Sequence, residues 1–132
     1  MITAYVFVTS TDEESYRVGI VYEKDGKKVT ERSISREDKE ELGIHGGNIF
    51  GTIAAIFDSK RIGQKLMDCE MTIVIDDEAV FGLEYGKDPD CIMANKLLDY
   101  IFKVSEMMNI TLSPPYQGME EPYGRAKDLA CA

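Results

Sequence analysis

Tryptophan is absent from this chain of 132 residues, histidine occurs once, and there are only four prolines and three cysteines. The cysteines, Cys69, Cys91 and Cys131, are far apart and form no C-x-x-C pair. With His45 as the single histidine, neither a zinc cluster nor a redox dithiol is expected, and the spacing suits buried reduced thiols in a cytoplasmic protein. Long apolar runs are missing too. No stretch approaches the roughly 18 to 20 residues of a membrane span, so no membrane association is expected. The N-terminus has no positive segment and no cleavage signal, and reads as a first strand.

Positive charge is scarce: 15 bases stand against 24 acids, a net charge of −9. Phosphate contacts supply most non-specific affinity for nucleic acid, so this balance argues against avid binding to DNA or RNA. The basic residues gather only in short clusters, Lys24, Lys27 and Lys28 at one turn, and Lys60, Arg61 and Lys65 past the first long helix.

What the chain does have is 44% hydrophobic residues, enough for a core. Neither repeats nor a proline- or glycine-rich linker divides it, so residues 1–132 are read as one domain. Residues 2–9 alternate and are rich in Val, Tyr and Phe, which predicts a strand. Tyr16, Val18, Ile20 and Tyr22 mark a second strand and residues 28–34 a third. Asp25-Gly26 between them is a hairpin signal, because such a turn needs positive φ. Residues 35–42 are highly charged, and Ser35 with Asp38 suggests a helical turn.

His45-Gly46-Gly47-Asn48 reads as a break that sets up a helix over residues 48–60, with Ile49, Phe50, Ile53, Ala54, Ile56 and Phe57 on its apolar face. Residues 71–75 form a nearly continuous apolar run, the pattern of a strand covered on both faces. A short helix is expected at 79–83 and a long amphipathic one at 90–108. A short strand follows at 110–112, and a C-terminal helix begins near Pro122. The order βββ-α-β-α-α-β-α implies a mixed sheet with helices on its faces.

That order is similar to the ribonuclease H fold, and three segments resemble the family locally. Asp76-Asp77-Glu78-Ala79-Val80 resembles the end of its fourth strand, where an Asp is followed four positions later by a helical Val. Residues 48–56 resemble its first helix, N-x-x-E-x-x-A-A-I. Residues 125–132 resemble the A-D-x-L-A-x-A of its last helix. The resemblance covers nearly the whole chain. It implies an α/β, ribonuclease H-like, mixed five-stranded sheet, with an antiparallel β1-β2-β3 meander followed by parallel strands and flanked by helices.

The resemblance also implies a metal site. Catalytic members hold two divalent metal ions with four carboxylates, and the ions activate water and stabilise the leaving oxygen. Aligned by motif, the first-strand Asp falls on Thr9, the first-helix Glu on Gly51, the fourth-strand Asp on Asp76 and the last-helix Asp on Lys127. Only Asp76 keeps its acid. The family's loop histidine has no counterpart in residues 112–118, nor has the basic protrusion of some members. Other acids remain as candidate helpers: Asp12, Glu13 or Glu14 from the first hairpin, and Asp77 or Asp128 at a shifted register. A one-residue shift on a helix turns a side chain by about 100°, so Asp128 does not simply replace Lys127.

Several of these features also have ordinary structural readings. The acids after the fourth strand suit capping of a helix start. His45, with no partner in sequence, reads as a loop histidine, and Gly46-Gly47-Asn48 as helix initiation rather than an anion cradle. Tyr116 and Tyr123, with their neighbouring prolines, suit a protein interface or loop packing, while Met93, Met107 and Met108 read as core filler. The expected function is a non-catalytic ribonuclease H-like binding module, for a protein or weakly for nucleic acid, with no cofactor. One alternative is a divergent nuclease on RNA–DNA hybrid or other nucleic acid, using Mg²⁺ or Mn²⁺. Another is an acidic inhibitor of a basic nucleic-acid-binding partner.

Overall fold

Alternation builds the sheet. A computed structural model describes residues 1–12, 14–38, 43–68, 70–77, 80 and 92–132, and only the backbone of residues 12, 92 and 93. The first three strands are β1 (Ile2–Asp12), β2 (Ser15–Lys24) and β3 (Lys27–Glu37), paired antiparallel. Asp25 (φ 52°) and Gly26 (φ 80°) both take the left-handed backbone that joins β2 to β3, as the Asp-Gly pair predicts. Then come α1 (Gly43–Leu66), β4 (Met71–Val74), α2 (Ile92–Met107), β5 (Ile110–Ser113) and α3 (Glu120–Cys131). The sheet order is β3-β2-β1-β4-β5, with β4 parallel to both β1 and β5.

Period-2 alternation assigns each strand residue to a face. Ala4, Val6, Val8, Tyr16, Val18, Ile20, Tyr22, Ile73 and Ile75 point into the main core, where Ile49, Ala55, Ile56, Leu98 and Ile101 of α1 and α2 meet them. Tyr5, Val21 and Val74 point to the opposite face and pack with Ala126, Tyr123 and Leu129 of α3.

Glycines set how closely the helices approach. A Cβ on Gly51 would lie 2.8 Å from Val6 Cγ1 and 3.0 Å from Val18 Cγ1. One turn earlier, a Cβ on Gly47 would collide with Val8. On the other face, a Cβ on Gly19 would strike the Ala126 carbonyl and come within 2.8 Å of the Ala130 nitrogen.

These contacts correct the sequence reading of the first helix. It spans Gly43–Leu66 rather than 48–60, so His45, Gly46 and Gly47 lie inside it, as do Lys60, Arg61 and Lys65. Gly47, which read as part of a break, is with Gly51 what lets this helix lie close on the sheet. Ser35 belongs to β3, not to a helical turn. Asp38 instead accepts a hydrogen bond from the Gly43 N–H (2.7 Å) at the helix start. The expected helix at 79–83, Val80 apart, lies outside the described residues, as do Cys69 and Cys91. Cys131 is exposed, against the expectation of buried thiols. Met107 is 84% exposed and so fills no core, whereas Met108 is half-buried and packs against the core. No described helix is long and apolar enough to cross a membrane.

Candidate functional site

The predicted site positions divide between the two faces. Gly51 lies on α1 over Val6 and Val18. A glutamate there is excluded by space as well as by sequence, because the helix backbone already rests on those valines. Thr9 is half-buried and lies opposite Arg17 in the sheet register. Cross-strand partners share a face, and two residues back Phe7 packs against Tyr123 of α3 (5.7 Å between rings). Thr9 therefore faces away from Gly51.

Lys127, on α3, holds its ammonium 5.9 Å from the centre of the Phe7 ring. Asp76 follows β4 and is exposed. It lies close to Tyr123, whose hydroxyl is pushed up to about 12 by burial, with the Asp76 charge adding to the effect. Asp128 is exposed on α3, and the side chain of Asp12 lies outside what is described.

Asp77 behaves differently from its neighbour. Its Oδ2 accepts hydrogen bonds from His45 Nδ1 (2.6 Å) and Asn48 Nδ2 (3.1 Å), and its Oδ1 one from the Val80 N–H (3.3 Å). Burial pushes this carboxyl up. The hydrogen bond and charge of His45, with the Asn48 amide and the Val80 N–H, outweigh it and leave the group below its ordinary range. His45 is thus a helical residue with an acid partner, not an unpartnered loop histidine. Asp77 ties the first turns of α1 to the end of β4, and the short helix that the acids were expected to cap lies outside the described residues, Val80 apart. Thirty-two residues separate the pair in sequence, and no local pattern signals such a contact.

A second buried carboxylate escaped the sequence reading. Asp58 of α1 accepts hydrogen bonds from Tyr22 Oη (2.6 Å), Arg32 (2.5 Å) and Arg61 (3.3 Å). Burial and the Asp58 charge push the Tyr22 hydroxyl far above its ordinary range. This network pins α1 to β2 and β3.

The four aligned positions do not fit a two-metal site. One has no room for a side chain, one is a lysine and one a threonine. Among the described residues no three His, Cys, Asp or Glu side chains come together as a metal-binding group.

No protein-family model matches the sequence, and no curated protein matches it. Solved structures do match. An RNase H1 isolated from compost by a metagenomic approach superposes with a TM-score of 0.76 at 19% identity, over 98% of this chain and 92% of that one. LC11-RNase H1 in complex with an RNA/DNA hybrid gives 0.75 at 18%, over 99% and 94%. RNase H1 from the halophilic archaeon Halobacterium salinarum gives 0.75 at 16%, over 98% and 94%. With the sheet order β3-β2-β1-β4-β5 and its flanking helices, this chain has a ribonuclease H-like fold.

Proposed function

We propose that the chain is a non-catalytic ribonuclease H-like module that acts by binding. The observation that carries this reading is Gly51. A metal-binding glutamate at that position would have to displace a helix packed on Val6 and Val18. Lys127 supports it, because an ammonium where an acid is expected repels a divalent cation. Asp76 alone cannot organise two hard cations that each want several oxygen ligands.

The test is incubation with a labelled RNA–DNA hybrid in Mg²⁺ and, separately, in Mn²⁺. The expected result is no cleavage by either the parent or Asp76→Asn. Metal-dependent cleavage abolished by Asp76→Asn overturns the reading.

A further inference from the structure

The end of the sheet opposite Thr9 and Asp76 holds an apolar cleft. β1, β4 and β5 start there, at Ile2, Met71 and Ile110, and α1 and α2 finish there, at Leu66 and Met107. The cleft has a volume of about 510 Å³, and the buried side chains of Ile2, Met71 and Ile110 border it. Backbone bonds fix the turns beside it. The Asp68 N–H donates to the Gly63 carbonyl (3.0 Å) and the Met71 N–H to the Asn109 carbonyl (3.4 Å).

Four of the seven methionines, Met67, Met71, Met107 and Met108, line this one cleft. Met67 follows α1 with left-handed backbone (φ 56°) and is 94% exposed. Met107 ends α2 and is exposed as well. Neither fills the core, so packing within the fold does not account for them. A thioether is polarisable and sits on three rotatable bonds, so it moulds to a guest and favours the edge of an aromatic ring. A concave, mostly apolar wall with a few polar groups at its edge is the pattern of a small-molecule site, and the volume lies in the usual range of about 300 to 1,000 Å³.

The edge sets the charge of the guest. Among the described residues Lys60 is the only cation bordering the cleft apart from its surroundings' matched charges, and it has no carboxylate within ion-pair distance. Gln64 lies four residues on along α1, on the same side of the helix, and adds an amide donor. The Asp68 carboxylate is already taken by the Met1 ammonium (2.9 Å) and Lys24 (3.5 Å). Glu70 also borders the cleft, is exposed, and opposes an anion, which keeps the attraction modest.

We propose that this cleft binds a small aromatic acid, its ring among the four methionines and its carboxylate toward Lys60. The proposal stands apart from the non-catalytic reading, because it uses none of the four aligned positions.

The experiment is an NMR titration of the full chain, carrying ¹³C-methyl methionine, with 2-naphthoate. The methyl signals of Met67, Met71, Met107 and Met108 should move upfield under the ring current and saturate with a Kd of about 0.1 to 1 mM. Met119, which packs in the cluster on the α3 face, should not move. Neutral 2-naphthalenemethanol should bind about fivefold more weakly, and Lys60→Gln should remove that difference, the size of a solvated charge pair. Decanoate, an acid without a ring, should bind more weakly than 2-naphthoate. Met67→Ala combined with Met107→Ala should weaken 2-naphthoate about tenfold through lost thioether–ring contacts. Both side chains are exposed, and thermal melts establish that each variant is folded.

Four results overturn the proposal: no shift of the four methyls, shifts that reach Met119 equally, an advantage of the acid that survives Lys60→Gln, or decanoate binding as tightly as 2-naphthoate. All four leave the non-catalytic reading in place, which only cleavage of the hybrid removes.

Discussion

Asp76 and Asp77 are adjacent in sequence and opposite in circumstance. Asp77 turns toward α1, where His45, Asn48 and the Val80 N–H take up its oxygens. Asp76 is exposed beside Tyr123 of α3. The same contrast runs across the sheet. On the α1 face the buried acids are matched, with Asp58 receiving Tyr22, Arg32 and Arg61. On the α3 face Arg17 and Lys127 have no acid partner among the described residues. Charge is matched where it is buried and only partly matched on the α3 face, where Arg125 pairs with Glu31. Low dielectric explains the first, since a buried carboxylate without donors is costly. Exposure permits the second, since solvated charges need no partner.

Four substitutions break or sharpen this contrast. The largest effect is expected at Gly51→Glu, which puts a charged side chain where a Cβ already meets Val6 and Val18. It should destabilise the protein by more than about 4 kcal/mol or prevent folding, as overpacking combined with a buried charge does. Chemical denaturation measures it. A stable Gly51→Glu protein would show that α1 can retreat from the sheet.

Asp58→Ala comes next. It strands the buried Tyr22 hydroxyl and should cost about 2 to 3 kcal/mol. The partly exposed Arg32 and Arg61 hydrate and limit the loss.

Asp77→Ala should cost about 1 to 2 kcal/mol through loss of the His45, Asn48 and Val80 contacts. It also has a pH signature. The folded Asp77 carboxyl titrates below its ordinary range, so the parent holds this stability fully above the unfolded value. It loses the contribution as pH falls below about 4 and through the lower folded value. Melts at pH 7 and pH 3 should therefore show a wider gap between parent and Asp77→Ala at the higher pH and a narrower one at the lower. An equal difference at both would remove the carboxylate from the account.

The smallest effect is expected at Asp76→Asn. An exposed substitution should change stability by less than about 0.5 kcal/mol. A larger loss in urea unfolding would mean that Asp76, too, belongs to the structural face.

The sheet was legible from the chain because strand signals are local. Tyr16, Val18, Ile20 and Tyr22 alternate, Asp25-Gly26 supplies the hairpin, and the apolar run from Met71 marks a strand buried on both sides. The start of α1 was not legible. Gly46 and Gly47 break helices by propensity, yet here the missing Cβ at Gly47 lets α1 lie against Val8 and Tyr16. Packing overrides propensity there, and that packing involves residues about 30 to 40 positions away.

The sequence by itself determined the order of the described elements and the hairpin, and its resemblance suggested Thr9, Gly51, Asp76 and Lys127 as the four aligned positions. Tertiary structure alone decided what those identities mean in space. It placed Gly51 where no side chain fits and joined His45 to Asp77 across 32 residues. It also set Arg17 beside Thr9 with only a hydroxyl to hold it. The reason is range. Periodicity and turn chemistry act over a few residues, whereas close approach, burial and charge matching act through space between segments that the chain keeps far apart.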